Sequence, residues 1–113
     1  MKFKSIRRQT EVSVNKLFIE SNLRNFQDWI YIGNELIKLK EFYSQQPEKR
    51  YDRMTFRQMM MSEGIAGIGY EQATKYILIV ENLEIMEKLY FERDITDLTK
   101  IIGAFRANQR AHN

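Results

Sequence analysis

The chain has no cysteine, one proline, one histidine and five glycines among its 113 residues. Without thiols there is no disulfide, no thiolate metal site and no cysteine nucleophile. The lone histidine, His112, sits in the terminal tail, which removes most histidine-based acid–base chemistry. The expectation is a protein without catalytic activity, metal or cofactor. Proline and glycine are too scarce for a fibrous or low-complexity chain, and 43% hydrophobic with 29% charged residues is a globular composition. Long apolar runs are also missing. Stretches such as Ile77 to Val80 fall far short of the roughly 20 residues a membrane span requires, and no apolar block follows the N-terminal charges. These absences predict a soluble, cytoplasmic chain with no membrane partner. Its length allows one domain and one core.

Charge is distributed unevenly. Residues 1–10 hold Lys2, Lys4, Arg7 and Arg8 and no acid, and residues 45–60 carry a net +2. Residues 81–97 carry a net −4 through Glu81, Glu84, Glu87, Glu92, Asp94 and Asp97 against Lys88 and Arg93, and residues 98–113 return to +3. The total of +3 and a pI near 9.2 are compatible with a polyanionic partner. The first ten residues read as a flexible basic arm and residues 108–113 as a short tail.

Hydrophobic spacing makes the chain all-α, a compact domain of about five helices. Leu23, Phe26, Ile30, Leu36, Ile37 and Phe42, with Trp29 beside them, recur every three or four residues and predict an amphipathic helix from about Asn22 to Tyr43. Pro47 ends it, because proline lacks an amide and disfavours helical geometry in the preceding residue. Thr55 can cap a short helix from Phe56 to Ser62, stopped at Gly64. Gly64, Gly67 and Gly69 then permit positive backbone angles and a tight reversal. From Tyr70 the set Ala73, Tyr76, Ile77, Val80, Leu83, Met86, Leu89 and Tyr90 predicts one long helix, or two broken near Asn82, reaching Phe91. A short last helix starts near Asp94 or Thr96, where Asp94 and Asp97 serve as caps. Residues 12–19 read as helix, since no second strand is available to pair with them. Trp29 and one or two of Met59, Met60 and Met61 belong to the core, whereas Tyr31, Tyr43 and Tyr51 are candidates for exposure.

The functional interest lies in the short helix, glycine turn and second helix. Phe56 to Glu63 would brace, and Tyr70 to Ile77 would enter a major groove, with Glu71, Gln72, Thr74, Lys75 and Leu78 facing outward or to the flank. Together with Ile32-Gly33-Asn34-Glu35-Leu36-Ile37-Lys38-Leu39-Lys40, Thr55-Phe56, Ala73-Thr74-Lys75-Tyr76-Ile77 and Ile79-Val80-Glu81-Asn82, this stretch resembles helix-turn-helix proteins of plasmids and phages, including partition-type proteins. The resemblance covers residues 30–90 and implies sequence-specific binding of duplex DNA by a regulator or maintenance factor.

A second resemblance uses the same residues. Gly67-Ile68-Gly69, then Ala73 and Tyr76-Ile77, is similar to a helix-hairpin-helix, whose glycine hairpin presents amides to a DNA phosphate without reading sequence. A fainter copy occurs at Ile101 to Ala107 around Gly103. Under the two resemblances the DNA-contacting set is Lys2, Lys4, Arg7 and Arg8 in the arm and Lys49, Arg50, Arg53 and Arg57 in the central basic region. Gly67 and Gly69 in the turn and Tyr70, Gln72, Thr74 and Lys75 in the second helix complete it. A homodimer would double a small contact surface. The glycine turn also reads as a plain connection, and the acidic stretch from Glu81 to Asp97 as a solvated face. The alternative function is an all-α interaction module, an adaptor or phage-encoded inhibitor that holds a protein partner on that acidic face. Gly64-x-x-Gly67-x-Gly69 is not a nucleotide loop, because no strand precedes it.

Overall fold

The computed structural model describes the backbone of residues 2–21, 26–45 and 55–111, and the side chains of 6–16, 26–45 and 55–111. Among the described residues the protein is all-α. Its six α-helices are α1 (Lys2–Ser21), α2 (Phe26–Ser44), α3 (Phe56–Ser62), α4 (Tyr70–Glu81), α5 (Leu83–Glu87) and α6 (Leu98–Ala111). A π-helical turn, Lys88–Glu92, continues α5.

The basic arm is part of a helix. The predicted helix over 12–19 extends back to Lys2, because Ile6, Thr10 and Val14, four residues apart, put one stripe onto the core. The charges of residues 2–8 lie within that periodic segment, and Thr10 Oγ1 donates to the Ile6 carbonyl at 3.2 Å. At the other end the tail of 108–113 is also mostly helical: α6 begins at Leu98 and runs 14 residues to Ala111. Its start is capped by Asp97, whose Oδ1 accepts from the Lys100 amide at 3.0 Å.

The central long helix buries Trp29, Ile32, Gly33, Leu36, Leu39 and Tyr43, while Ile30, Ile37 and Phe42 are half-buried at the edge of the stripe. Tyr43, expected to be exposed, is therefore buried at 3% exposure and meets the Phe56 ring edge-on at 6.1 Å. Tyr31 is exposed as expected, and Tyr51 lies outside the described residues.

Thr55 caps α3 in a capping box: its hydroxyl accepts from the Gln58 amide at 3.1 Å, and its own amide donates to Gln58 Oε1 at 2.9 Å. Met59 and Met60 point inward and Met61 stands 65% exposed. The predicted break falls at Asn82, whose side-chain amide donates to the Leu78 carbonyl at 3.0 Å and so completes the end of α4. Beyond it, Phe26, Trp29, Tyr90 and Phe91 form an aromatic cluster with centroids 4.8–6.2 Å apart. Phe91 is 66% exposed at its rim.

The middle of the molecule is α4, packed chiefly against α2 and also against α3, α5 and α6. The α2–α4 contact is made at Gly33: a Cβ there would stand 2.5 Å from the Tyr76 carbonyl oxygen and 2.4 Å from Val80 Cγ2. Backbone cannot yield as a side-chain tip can, so Gly33→Ala has to push the two helices apart. We expect a loss of about 1–3 kcal/mol, the usual scale of core overpacking, read from the urea midpoint. An unchanged midpoint would show that the contact carries no strain-sensitive packing.

Candidate nucleic-acid interface

Seven residues, Glu63 to Gly69, separate α3 from α4, and they form a built element. Ile65 and Ile68 exchange both backbone hydrogen bonds, at 3.0 and 2.7 Å, in a two-residue hairpin. Both side chains are fully buried, so the turn plugs the core. Ala66 and Gly67 occupy the hairpin tip with φ of 51° and 82°, the pair of positive angles that fits the twist of a tight hairpin. Gly64 is also left-handed, at 71°, and a Cβ on it would meet the Ile68 carbonyl oxygen at 2.6 Å. Gly69 departs from the expectation. Its φ is −89°, it caps α4 in an extended conformation, and a Cβ would meet nothing within 4 Å. Positive φ is therefore needed at Gly64 and Gly67, and non-glycine Ala66 carries the third left-handed position. The fainter copy around Gly103 is no hairpin: Ile101 to Ala107 lies wholly within α6.

The basic residues divide. Arg7 faces the turn, with Nη2 2.9 Å from Glu63 Oε2 and 3.5 Å from the Gly64 carbonyl. One helical turn later Glu11 Oε2 accepts from the Ala66 amide at 3.4 Å. Two charges of α1 thus clamp the α3–α4 turn, and one of the hairpin's tip amides already has a carboxylate partner. Arg8 is exposed on α1; Lys2 and Lys4 belong to the same helix, but their side chains lie outside the described residues, as do Lys49, Arg50 and Arg53 entirely.

Arg57 meets Tyr70, and Tyr70 shares a groove with Gln72 and Lys75. The Arg57 guanidinium carbon stands 5.4 Å from the centre of the Tyr70 ring, an exposed cation–π contact that holds the charge beside the start of α4. A groove of about 690 Å³ opens at the first turns of α4, lined among others by Met61, Tyr70, Gln72, Lys75 and Thr99. Gln72 is exposed and its amide donates to the Tyr76 hydroxyl at 3.2 Å, while the Thr74 hydroxyl is turned back on the Glu71 carbonyl at 2.6 Å. Thr74 is therefore less available than Gln72. Lys75 Nζ lies 3.4 Å from Thr99 Oγ1, and this contact joins α6 to the groove. The sequence reading left α6 out of the site; the signal that could have included it is the absence of any acid between Leu98 and Ala111. Glu71 also lines the groove, at the positive end of the α4 dipole.

Among the described residues no group of three or more His, Asp or Glu side chains is placed to hold a metal ion, and no helix is long and apolar enough to cross a membrane. The residues from Glu81 to Asp97 expose Glu81, Glu84, Glu87, Glu92, Asp94 and Asp97 as a separate acidic surface.

Two phenols report on the packing beside this site. Burial raises the ionisation of Tyr43 above its ordinary 10.0; nearby Arg7 lowers it and Glu63 raises it. Burial likewise raises Tyr76, against a lowering by the Gln72 hydrogen bond. The folded chain holds these protons more tightly than the unfolded one. The stability they contribute is complete below the unfolded value and is lost as pH rises through the folded values. The urea midpoint should therefore fall as pH is raised above 10, and the fall should be shallower in a Tyr43→Phe/Tyr76→Phe variant. An equally steep fall in that variant would remove these phenols as the cause. Compared with known proteins, the chain matches no family model, and neither a curated protein nor a solved structure resembles it significantly.

Proposed function

We propose that the protein is a non-enzymatic binder of duplex DNA that sets the first two turns of α4 against the major groove. The observation carrying this reading is the start of α4, where Gln72 shares a groove with Lys75 and Tyr70, and Tyr70 in turn carries the Arg57 guanidinium on its ring. Gln is able to meet an adenine edge with two hydrogen bonds, and flanking Arg and Lys fix a helix on phosphates. B-form DNA is the duplex in question, because its major groove of about 12 Å admits a helix while that of RNA is too deep and narrow to be read. In this reading α3 and the buried hairpin hold the angle of α4. The left-handed tip at Gly67 has its neighbouring amide on Glu11. Two copies on a two-fold axis would give the contact area one short helix lacks.

Mobility shifts on random duplex at low and raised salt test the class of partner, and selection from random sequences tests readout. Binding should appear at low salt and weaken as salt rises. Gln72→Ala should cost about 1–3 kcal/mol on the selected site and little on random duplex. Arg57→Ala should weaken all duplexes alike and lower the salt slope by about 0.9, one phosphate contact. Glu71→Gln, which removes the acid from the groove, should strengthen binding to every duplex. No binding to any duplex at low salt would overturn the proposal; binding without a preferred site would overturn the major-groove readout.

A further inference from the structure

The outer face of α6 carries cations and no acid. Ile101, Ile102 and Phe105 turn into the core, and Lys100, Gly103, Arg106, Ala107 and Arg110 are exposed. At 100° per residue these five positions share an arc of about 120°, and Lys100 to Arg110 spans about 15 Å along the axis. No acid occurs between Leu98 and Ala111. Asp97, just before the helix, has its carboxylate on the Lys100 amide. No ion pair engages Lys100, Arg106 or Arg110 among the described residues.

Gly103 lies on the same arc between the cations. An exposed glycine in a helix interior weakens the helix relative to alanine. At Gly33 such a weakness is explained by a neighbour that leaves no room for a side chain, but at Gly103 a Cβ would meet nothing within 4 Å. Among the described residues nothing occupies the space of the missing side chain. A bare stretch of helix flanked by cations, with Ala107 one turn further on, lets a rod of negative charge come close to the axis.

We propose that α6 lies along the sugar–phosphate backbone of the DNA whose groove receives α4, with Lys100, Arg106 and Arg110 on phosphates and Gly103 at the point of closest approach. The inference rests on the DNA-binding reading and supplies its phosphate-contacting element. The Lys75–Thr99 contact puts the start of α6 at the rim of the α4 groove, so one duplex meets both. About 15 Å of helix covers roughly four rises of 3.4 Å along the duplex axis. An anionic membrane is the other polyanion to consider. The apolar side of α6 is already buried in the core, which leaves nothing to insert.

The test compares full-length wild type with Lys100→Gln/Arg106→Gln/Arg110→Gln and with Gly103→Leu, using random duplex over a salt series and vesicles containing phosphatidylserine. The triple variant should keep its circular dichroism and any sequence preference, and its salt slope should fall by about 2.7, three phosphates at about 0.9 each. Gly103→Leu separates binding from folding. With open space around it and a better helix former in place, its Tm should rise by about 4 °C, while its affinity for duplex drops at least tenfold. Wild-type binding to duplex with an unchanged slope in the triple variant, or undiminished affinity in Gly103→Leu, would overturn the role of α6 and leave the α4 reading standing. Failure of the wild type to bind duplex, with or without binding to vesicles, would overturn both.

Discussion

Because position 33 has no side chain, α2 and α4 meet backbone to backbone, and most of the remaining arrangement follows from that contact. It fixes α4 in the middle of the molecule, and with Ala73, Tyr76, Ile77 and Ile79 buried it leaves only the first turns of α4 and one flank for any outside molecule. The bulk of a side chain at 33 would be felt at Tyr76, whose hydroxyl is held by Gln72. The core contact and the exposed polar residue are thus two ends of one short mechanical path.

Charge is divided between internal and external work. The N-terminal cluster, the most basic in the sequence, includes Arg7, which helps hold the α3–α4 turn, while Glu11 on the next helical turn takes the Ala66 amide. This ion pair is partly exposed, and its value is in placement more than in stability. The acidic residues of 81–97 gather around α5 and its continuation, and the cations from 98 onward gather on α6. A net charge of +3 therefore conceals two surfaces of opposite sign that adjoin in space, since α5 packs on α6.

Features encoded by neighbouring residues were legible in the sequence. Thr55, three residues before Gln58, marked the start of α3 to the residue; Gly64 marked its stop; Asn82 marked the break after α4. Those dependent on phase over a longer stretch were not. Residues 1–10 read as an arm by their charge alone, whereas the four-residue spacing of Ile6, Thr10 and Val14 makes them part of α1. Tyr43 reads as exposed because Ile37 and Phe42 carry the apparent stripe of α2 past Leu39 and Tyr43, which together with Leu36 form the buried face. Glycine positions showed where left-handed backbone is cheap, and the chain used two of the three and placed the remaining turn on Ala66. Gly103 misled for the same reason: inside a helix it has no turn to make. Of the proposed site, the grouping of Tyr70, Gln72 and Lys75 along one groove was readable from spacing. The joining of α6 to them was not, because it depends on a contact across 24 positions of sequence.

The π-helical turn from Lys88 to Glu92 carries a consequence for chain length. It is closed by a bond from the Arg93 amide to the Lys88 carbonyl, five residues back, and so holds one residue more than ordinary helical winding would. That extra residue sets the direction in which the chain leaves the helix, through the left-handed Asp94 and the Ile95 amide bonded to Leu89, toward the start of α6. Deleting one residue here would restore regular winding and remove the turn that aims the chain at α6, leaving one residue fewer between the buried Leu89 and the buried Ile101, Ile102 and Phe105. At the Gly67 tip a Cβ would find nothing within 4 Å, but the two-residue hairpin also holds the Ala66 amide on Glu11 and seats Ile65 and Ile68 in the core, so an added residue there disturbs both. Side-chain bulk has room at that tip, whereas chain length is critical at both of these turns.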